Sequence, residues 1–279
     1  MKVAIIGVGL IGGSIALALK RKINDITVIG VDATGAHQDA ALKLGLVDEI
    51  AELDKAIAAA ELIILAVPVD AALKLLPQIL DKVKNQVVMD VGSTKAEVAA
   101  VAAGLQNSGR FVSTHPMWGT EFSGPAAAVE GAFVGKAVVI CNKQKADDDA
   151  LLMVENIYKL LGMHIIYMDA NSHDVHAAYI SHISHITSFA LANTVLEKEK
   201  EDDAIFELAS GGFESTVRLA KSNAAMWVPI FMQNKENVLD VLNEHISQLK
   251  KFKSCLEKDN FEYMAELIQH ANTIKRILK

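Results

Sequence analysis

The first 32 residues constrain the fold more than any other stretch. Lys2-Val-Ala-Ile-Ile6 is an unbroken apolar run, as expected of a strand buried on both faces, and it leads directly into Gly7-Val8-Gly9-Leu10-Ile11-Gly12. A helix-like segment, Ser14 to Lys20, follows, then a second apolar run, Thr27 to Val31, that stops at Asp32. A strand, a Gly-x-Gly-x-x-Gly turn, a helix, a strand and then an acid form the dinucleotide-binding pattern in its required context. Each part has a physical role. Gly7 permits a tight turn, Gly9 lets backbone approach a pyrophosphate, Gly12 lets helix and strand pack closely, and the helix N-terminus supplies a positive field. Asp32 can accept hydrogen bonds from both ribose hydroxyls and would repel a 2′-phosphate, and no arginine neighbours it, so NAD is expected rather than NADP.

The alternation continues with helix-like segments at 36–44 and 53–60 and a strand Leu62 to Val67 closed by Pro68. Val67 and Pro68, at a strand's carboxyl end, join Gly7, Val8, Gly9, Leu10, Ile11, Gly12 and Asp32 as candidate cofactor contacts. A helix from Asp70 to Leu80 precedes the strand Val87 to Val91, which runs into Gly92-Ser93-Thr94-Lys95 and a helix at 96–103. Strands at 137–141 and 164–168 flank an amphipathic helix from about Asp147 to Leu161. From Ala170 onward strand-like runs give way to long 3.6-residue periodicity, with breaks around Gly211-Gly212 and near Asp259-Asn260. The expected fold is α/β: a Rossmann-type doubly wound parallel sheet over residues 1–169, followed by an all-helical domain over 170–279. Apolar stripes in the helical part exceed what one small bundle needs, which implies burial against a second copy.

Composition narrows the function classes. The chain has 279 residues, 51% hydrophobic and 22% charged, with a net charge of −7. That balance lacks the basic footprint of a nucleic-acid binder. Cys141 and Cys255 stand far apart, with no Cys or Cys/His spacing to suggest a disulfide framework or a zinc site. Lys2 to Leu19 superficially resembles a signal peptide, but four glycines interrupt its apolar segment, and no other run approaches the roughly 18 residues of a membrane span. A cytoplasmic location is expected.

The chemistry is expected in the stretch Val112-Ser-Thr-His-Pro-Met-Trp-Gly-Thr-Glu-Phe-Ser-Gly-Pro125. It places His115 at the end of a short apolar run, ahead of loop-forming residues, where an imidazole can exchange a proton near neutral pH. His173, His176, His182 and His185 follow within thirteen residues. On a straight helix, nine residues advance about 900°, so the first pair would face away from the second. With no nearby Cys or fixed acid, a metal site is disfavoured. His173 and His176 then read as structural, and His182 and His185 as the lining of a polar cleft. Further on, the Gly211-Gly212 pair allows close backbone approach, and Arg218 can fork two hydrogen bonds onto a carboxylate.

Taken together, these segments resemble the prephenate dehydrogenase family over essentially the whole chain. The resemblance rests on Gly7-Val-Gly-Leu-Ile-Gly-Gly-Ser14, Asp90-Val-Gly-Ser-Thr-Lys95, Thr114-His-Pro-Met-Trp-Gly-Thr-Glu121, Ser181-His-Ile-Ser-His185, and the Gly211-Gly212 to Trp227 segment with Arg218. It implies an NAD-dependent oxidative decarboxylation of prephenate to 4-hydroxyphenylpyruvate in tyrosine biosynthesis, by a homodimer joined through the helical domain. It implies that His115 takes the C4 hydroxyl proton and that Ser93 fixes the ring's tautomer. It further implies that Arg218 holds a substrate carboxylate, with His182, His185, Thr120, Glu121 and Gly211 lining the cleft. Ser215 stands where several members carry an acid, so any ion-pair role of that acid does not transfer. The nearest rival is arogenate dehydrogenase. A 3-hydroxyacid or imine reductase of similar plan would need a different polar anchor on the long helix, and a non-catalytic nicotinamide-responsive module would bind NAD without turnover.

Overall fold

The computed structural model describes residues 1–200 and 207–277. The elements run in the order β1 (Lys2–Ile6), α1 (Leu10–Lys22), β2 (Thr27–Val31), α2 (Gly35–Lys43), β3 (Glu49–Ile50), α3 (Leu53–Ala59), β4 (Leu62–Leu65), α4 (Val69–Lys82), β5 (Val87–Asp90), α5 (Ala96–Ala103) and β6 (Phe111–Pro116). They continue with β7 (Ala137–Cys141), α6 (Asp148–Leu160), β8 (His164–Met168), α7 (Ala170–Ala177), a π-helical turn (Ala178–His182) and α8 (Ile183–Glu199). Four helices follow: α9 (Gly211–Val217), α10 (Ala224–Gln233), α11 (Lys235–Glu257) and α12 (Phe261–Ala271).

The strands form one sheet in the order β3-β2-β1-β4-β5-β6-β7-β8. Its continuous apolar runs are explained by burial on both faces: Val3, Ile5, Leu62, Ile64, Val87 and Met89 enter one core, while Ala4, Ile6, Ile63, Leu65 and Val88 enter the other. Neighbouring strands are parallel except β6 and β7, where Ser113 pairs with Cys141 and Pro116 with Val138 in antiparallel register. The sheet is parallel-dominant, as expected, and the connection supplies the reason for the one antiparallel pair. Between Pro116 and Ala137 the only helical piece is the short 3-10 turn Pro125–Ala127, and a parallel return needs a crossover, usually a helix. Two further details differ from the sequence reading. The two-residue strand β3 is too short to leave a periodic signal, and β4 ends at Leu65 rather than Val67, its ladder closing with the Ala66 N–H donating to the Ile6 carbonyl at 2.7 Å.

Two compact units emerge, Met1–Asn234 and Lys235–Lys279. The first contains the sheet together with α7 to α10. Trp227 and Ile230 of α10 pack on Val69 at the start of α4, and Ala170 packs on Val139 and Cys141 of β7. In the second, α11 and α12 pack on each other across the turn at Asp259, whose φ of +51° and neighbouring Asn260 cap, accepting from the Tyr263 N–H, account for the break expected there. Gly211 and Gly212, in contrast, open α9 rather than interrupt a helix. Among the described residues no helix is long and apolar enough to cross a membrane.

Candidate active site

The parallel strands β1, β4, β5 and β6 all end on one edge of the sheet, and the turns leaving that edge carry the candidate residues. After β1, Gly7 adopts φ +95°, and a Cβ there would lie 2.4 Å from the Ala66 carbonyl oxygen. A Cβ on Gly12 would lie 2.0 Å from the Gly7 carbonyl oxygen, so only glycine lets α1 sit this close to β1. Gly9 is different: a Cβ there would meet nothing within 4 Å, leaving open space beside the helix N-terminus. The first turn of α1 has no acidic residue and no side-chain cap, so its free amides remain available to an anion. Val8 donates its N–H to Asp32 Oδ2 at 3.1 Å, while Thr34 N–H reaches Oδ1 at 3.0 Å, and His37 Nδ1 lies 3.3 Å from the same oxygen. The carboxylate retains lone pairs for two hydroxyls. Val67 sits against Gly7, and Pro68 precedes α4 at the surface. Leu10 and Ile11 form the first turn of α1, and the Leu10 carbonyl accepts the Ser14 hydroxyl at 2.6 Å. This cradle of open space, unpaired amides and a carboxylate fits a dinucleotide.

His115, next to last in β6, is half-buried, with its Nδ1 2.8 Å from His173 Nε2. His173 Nδ1 lies 2.8 Å from Asp174 Oδ1. Asp174 also accepts the Lys95 N–H at 2.7 Å and the Ala96 N–H at 2.8 Å, which joins α7 to the N-terminus of α5. Protein packed around the His115 ring disfavours its charged form, and the positive charge of Lys95 adds to that effect. The imidazole is therefore held well below its usual range and is neutral at pH 7.

The Gly92-Ser93-Thr94-Lys95 loop is more than a connector. Lys95 is fully buried and its ammonium pairs with Asp90 Oδ2 while donating to the Thr114 carbonyl at 2.7 Å. Asp90 Oδ1 accepts the Thr114 N–H at 3.1 Å, so a buried ion pair stitches β5 to β6 one residue before His115. The Thr114 hydroxyl donates to the Asp90 carbonyl and meets the Tyr158 hydroxyl, both at 2.5 Å. Thr94 donates to Gln233 Oε1 at 2.6 Å, and Ser93, the residue before it, is half-buried.

The histidine-rich helix departs from the straight-helix projection. His173 and His182 both lie in the buried cluster and His176 alone turns out to solvent, its Nδ1 bonding the Ser172 carbonyl at 2.5 Å. The expected grouping of His173 with His176 is thus corrected. The cause is the π-helical turn Ala178–His182, which widens the spiral and slows its rotation just where the two pairs are compared. Asn234 Nδ2 donates to the Asp174 carbonyl at 2.7 Å and faces His182 Nδ1 at 3.2 Å. Burial pushes His182 down to about 4, and also lowers His185, whose ring stacks on Trp227 with centroids 3.5 Å apart. Among the described residues the buried Trp227 Nε1 and Gln233 Nε2 have no hydrogen-bond partner.

Arg218 opens the 3-10 turn after α9 and donates from Nη1 to Glu121 Oε2 at 2.8 Å, bridging to the loop after β6. Thr120, next to Glu121, accepts the Phe122 N–H at 3.3 Å. Gly211 is exposed at the start of α9, and the Ser215 hydroxyl turns back onto the Gly212 carbonyl at 3.0 Å. The structure therefore gathers His115 and His182 with three residues the sequence reading left out of the site, Lys95, His173 and Asp174. Only the adjacency of His173 and Asp174 on one helix could have signalled their pairing. Arg218 and Glu121 form a second pair, and the Arg218 charge, after burial, helps to hold His185 down.

A dinucleotide cradle and a half-buried neutral imidazole, on the same carboxyl edge of one sheet, define a nucleotide-dependent oxidoreductase. Comparison with known proteins makes this specific. Residues 15–167 match the prephenate dehydrogenase nucleotide-binding domain and residues 169–270 the prephenate dehydrogenase dimerization domain, so the chain belongs to the prephenate dehydrogenase family. It is 34% identical over 260 residues to prephenate dehydrogenase of Bacillus subtilis (strain 168), covering 92% of this chain and 70% of that protein. It also resembles the crystal structure of prephenate dehydrogenase from A. aeolicus in complex with hydroxyphenyl propionate and NAD+. The TM-score is 0.91 and the identity 27%, covering 100% of this chain and 98% of that one. The structure of Synechocystis arogenate dehydrogenase is similar over 100% of both chains, with a TM-score of 0.80 and 28% identity.

Proposed function

We propose that this protein catalyses the oxidative decarboxylation of prephenate to 4-hydroxyphenylpyruvate, with NAD bound along the Gly7–Gly12 turn and Asp32. The observation that carries the reading is His115, a neutral half-buried imidazole whose Nδ1 is already bonded, on the same sheet edge as the cradle. NAD supplies the hydride acceptor. His115 Nε2 takes the C4 hydroxyl proton as the C4 hydrogen departs with its electron pair, and C4 becomes a carbonyl. The ring carboxylate then leaves as CO2, its bonding pair aromatises the ring, and the phenolate oxygen recovers the proton from His115. Ser93 lies beside the reacting hydroxyl, and Arg218 binds a substrate carboxylate, with His182, His185, Thr120, Glu121 and Gly211 shaping the rest of the cleft. Residues 1–169 bind the nucleotide, and 170–279 complete the substrate site and join two copies. Exposed Ile180 and Met232, 64% and 70% accessible, support a homodimer, and the net charge of −7 with two free cysteines supports a cytoplasmic enzyme without nucleic-acid partners.

The reading is tested by absorbance at 340 nm with prephenate and arogenate side by side, each with NAD and with NADP. Prephenate with NAD is expected to give the highest kcat/KM; turnover of arogenate alone would transfer the assignment to the arogenate enzymes. Arg218→Ala is expected to raise the KM for prephenate by 10-fold or more, about the ~1.5–3 kcal/mol of a charged hydrogen bond, while an unchanged KM removes it from the substrate site.

The pH dependence has a definite sign. Catalysis needs His115 unprotonated, and burial together with the nearby charges lowers its proton affinity, so activity is lost only as pH falls well below 6.5. A kcat/KM profile that stays flat from pH 8 through 6.5 is expected. An acid limb at or above 6.5 contradicts this.

A further inference from the structure

We infer that His173 and Asp174 form a relay that fixes the tautomer of His115, leaving its Nε2 as the bare nitrogen that takes the substrate proton. The inference rests on the proposed role of His115 and adds two positioning residues to it. The hydrogen-bond polarity can be followed from one end to the other. The Asp174 carboxylate only accepts, and it is held in place by the Lys95 and Ala96 backbone N–H groups at 2.7 and 2.8 Å. The facing nitrogen of His173, Nδ1 at 2.8 Å, must therefore carry a proton and donate it. A neutral His173 then presents a lone pair at Nε2. The nitrogen 2.8 Å away, His115 Nδ1, must donate in turn, so the His115 proton sits on Nδ1. The ring centroids lie 5.0 Å apart with the planes twisted by 67°, a separation that sets the two nitrogens facing each other along the ring edges, where N–H and lone pair both lie.

This assignment moves the tautomer-fixing role from Ser93 to His173, because the Nδ1 partner of His115 is His173. The relay is also well anchored. His173 and Asp174 are each 2% exposed, and Asn234 donates to the Asp174 carbonyl at 2.7 Å. The charged and titratable groups around His115 are His173 and Asp174 from α7, His182 from the π-helical turn, and Lys95 with Asp90 from the end of β5 and its loop.

The test is 15N NMR of histidine-labelled protein without ligands near pH 8, with the His115 resonances assigned by their loss in His115→Asn. The expected result is a protonated Nδ1 and an unprotonated Nε2. In His173→Phe the acceptor is lost: the tautomer should shift toward Nε2–H and kcat fall by ~10²-fold or more, with KM for prephenate nearly unchanged. His173→Gln, which restores an acceptor oxygen near the position of Nε2, should recover the Nδ1–H tautomer and much of kcat. A wild-type His115 with its proton on Nε2, or a His173→Phe variant with wild-type tautomer and kcat, overturns the relay. The wild-type spectrum decides it even if His173→Phe does not fold. Because the spectrum needs no substrate, a protein that failed to oxidise prephenate would refute the functional reading and still report on the relay.

Discussion

His115→Asn is expected to lower kcat for prephenate by ~10²–10⁴-fold, the range for a positioned general base, while leaving NAD affinity at its wild-type value. Asparagine retains hydrogen-bonding capacity and small volume but cannot take a proton, so the loss isolates proton transfer from packing. The burial that depresses His115 also means that no solvent base easily substitutes, since water reaches only part of the half-buried ring. NAD is proposed to bind elsewhere, on the Gly7–Gly12 turn and Asp32 at the ends of β1 and β2. Steady-state rates at 340 nm and a fluorescence titration with NAD check both halves. A variant retaining more than about a tenth of wild-type kcat would exclude His115 as the base.

Lys95→Ala is expected to cost ~3–5 kcal/mol of folding stability, a large share of the 5–15 kcal/mol available to a typical domain. Its ammonium is fully buried against Asp90, which is 1% exposed, and removing it leaves a carboxylate in the sheet with only the Gly92 and Thr114 N–H groups at 3.1 Å as donors. The double variant Asp90→Asn/Lys95→Met removes both charges and should be more stable than the single one, because the cost lies in the uncompensated charge rather than in the missing pair. Urea unfolding midpoints measure this. Equal midpoints for Lys95→Ala and wild type would show that the pair contributes nothing net.

Much of this arrangement is written locally. The Gly7–Gly12 turn, Asp32 and the runs at 62–65 and 87–90 each declare themselves within a few residues, because a strand buried on both faces and a helix pressed onto it leave few alternatives. What is not local is less legible. The partner of His115 lies 58 residues away, and its alignment depends on a π-helical turn that periodicity cannot register. A helical wheel with constant rotation therefore sends His173 to the wrong side. Likewise, nothing local to Lys95 announces the buried ion pair it forms once the sheet closes around it, and Glu121, expected to line the cleft, gives no local sign that Arg218 lies 2.8 Å from it. The direction of β7 was hidden for a related reason: strand residues carry the same apolar run whichever way the strand points, and only the missing crossover helix tells them apart.

The central claim is that this site couples removal of a hydride from C4 to loss of the ring carboxylate. It is tested most directly by stoichiometry: a limiting, known amount of prephenate is consumed with excess NAD while the 340 nm endpoint, released CO2 and 4-hydroxyphenylpyruvate are quantified together. One NADH, one CO2 and one 4-hydroxyphenylpyruvate per prephenate is the predicted result. No absorbance change, or NADH formed without an equal amount of CO2, would contradict it.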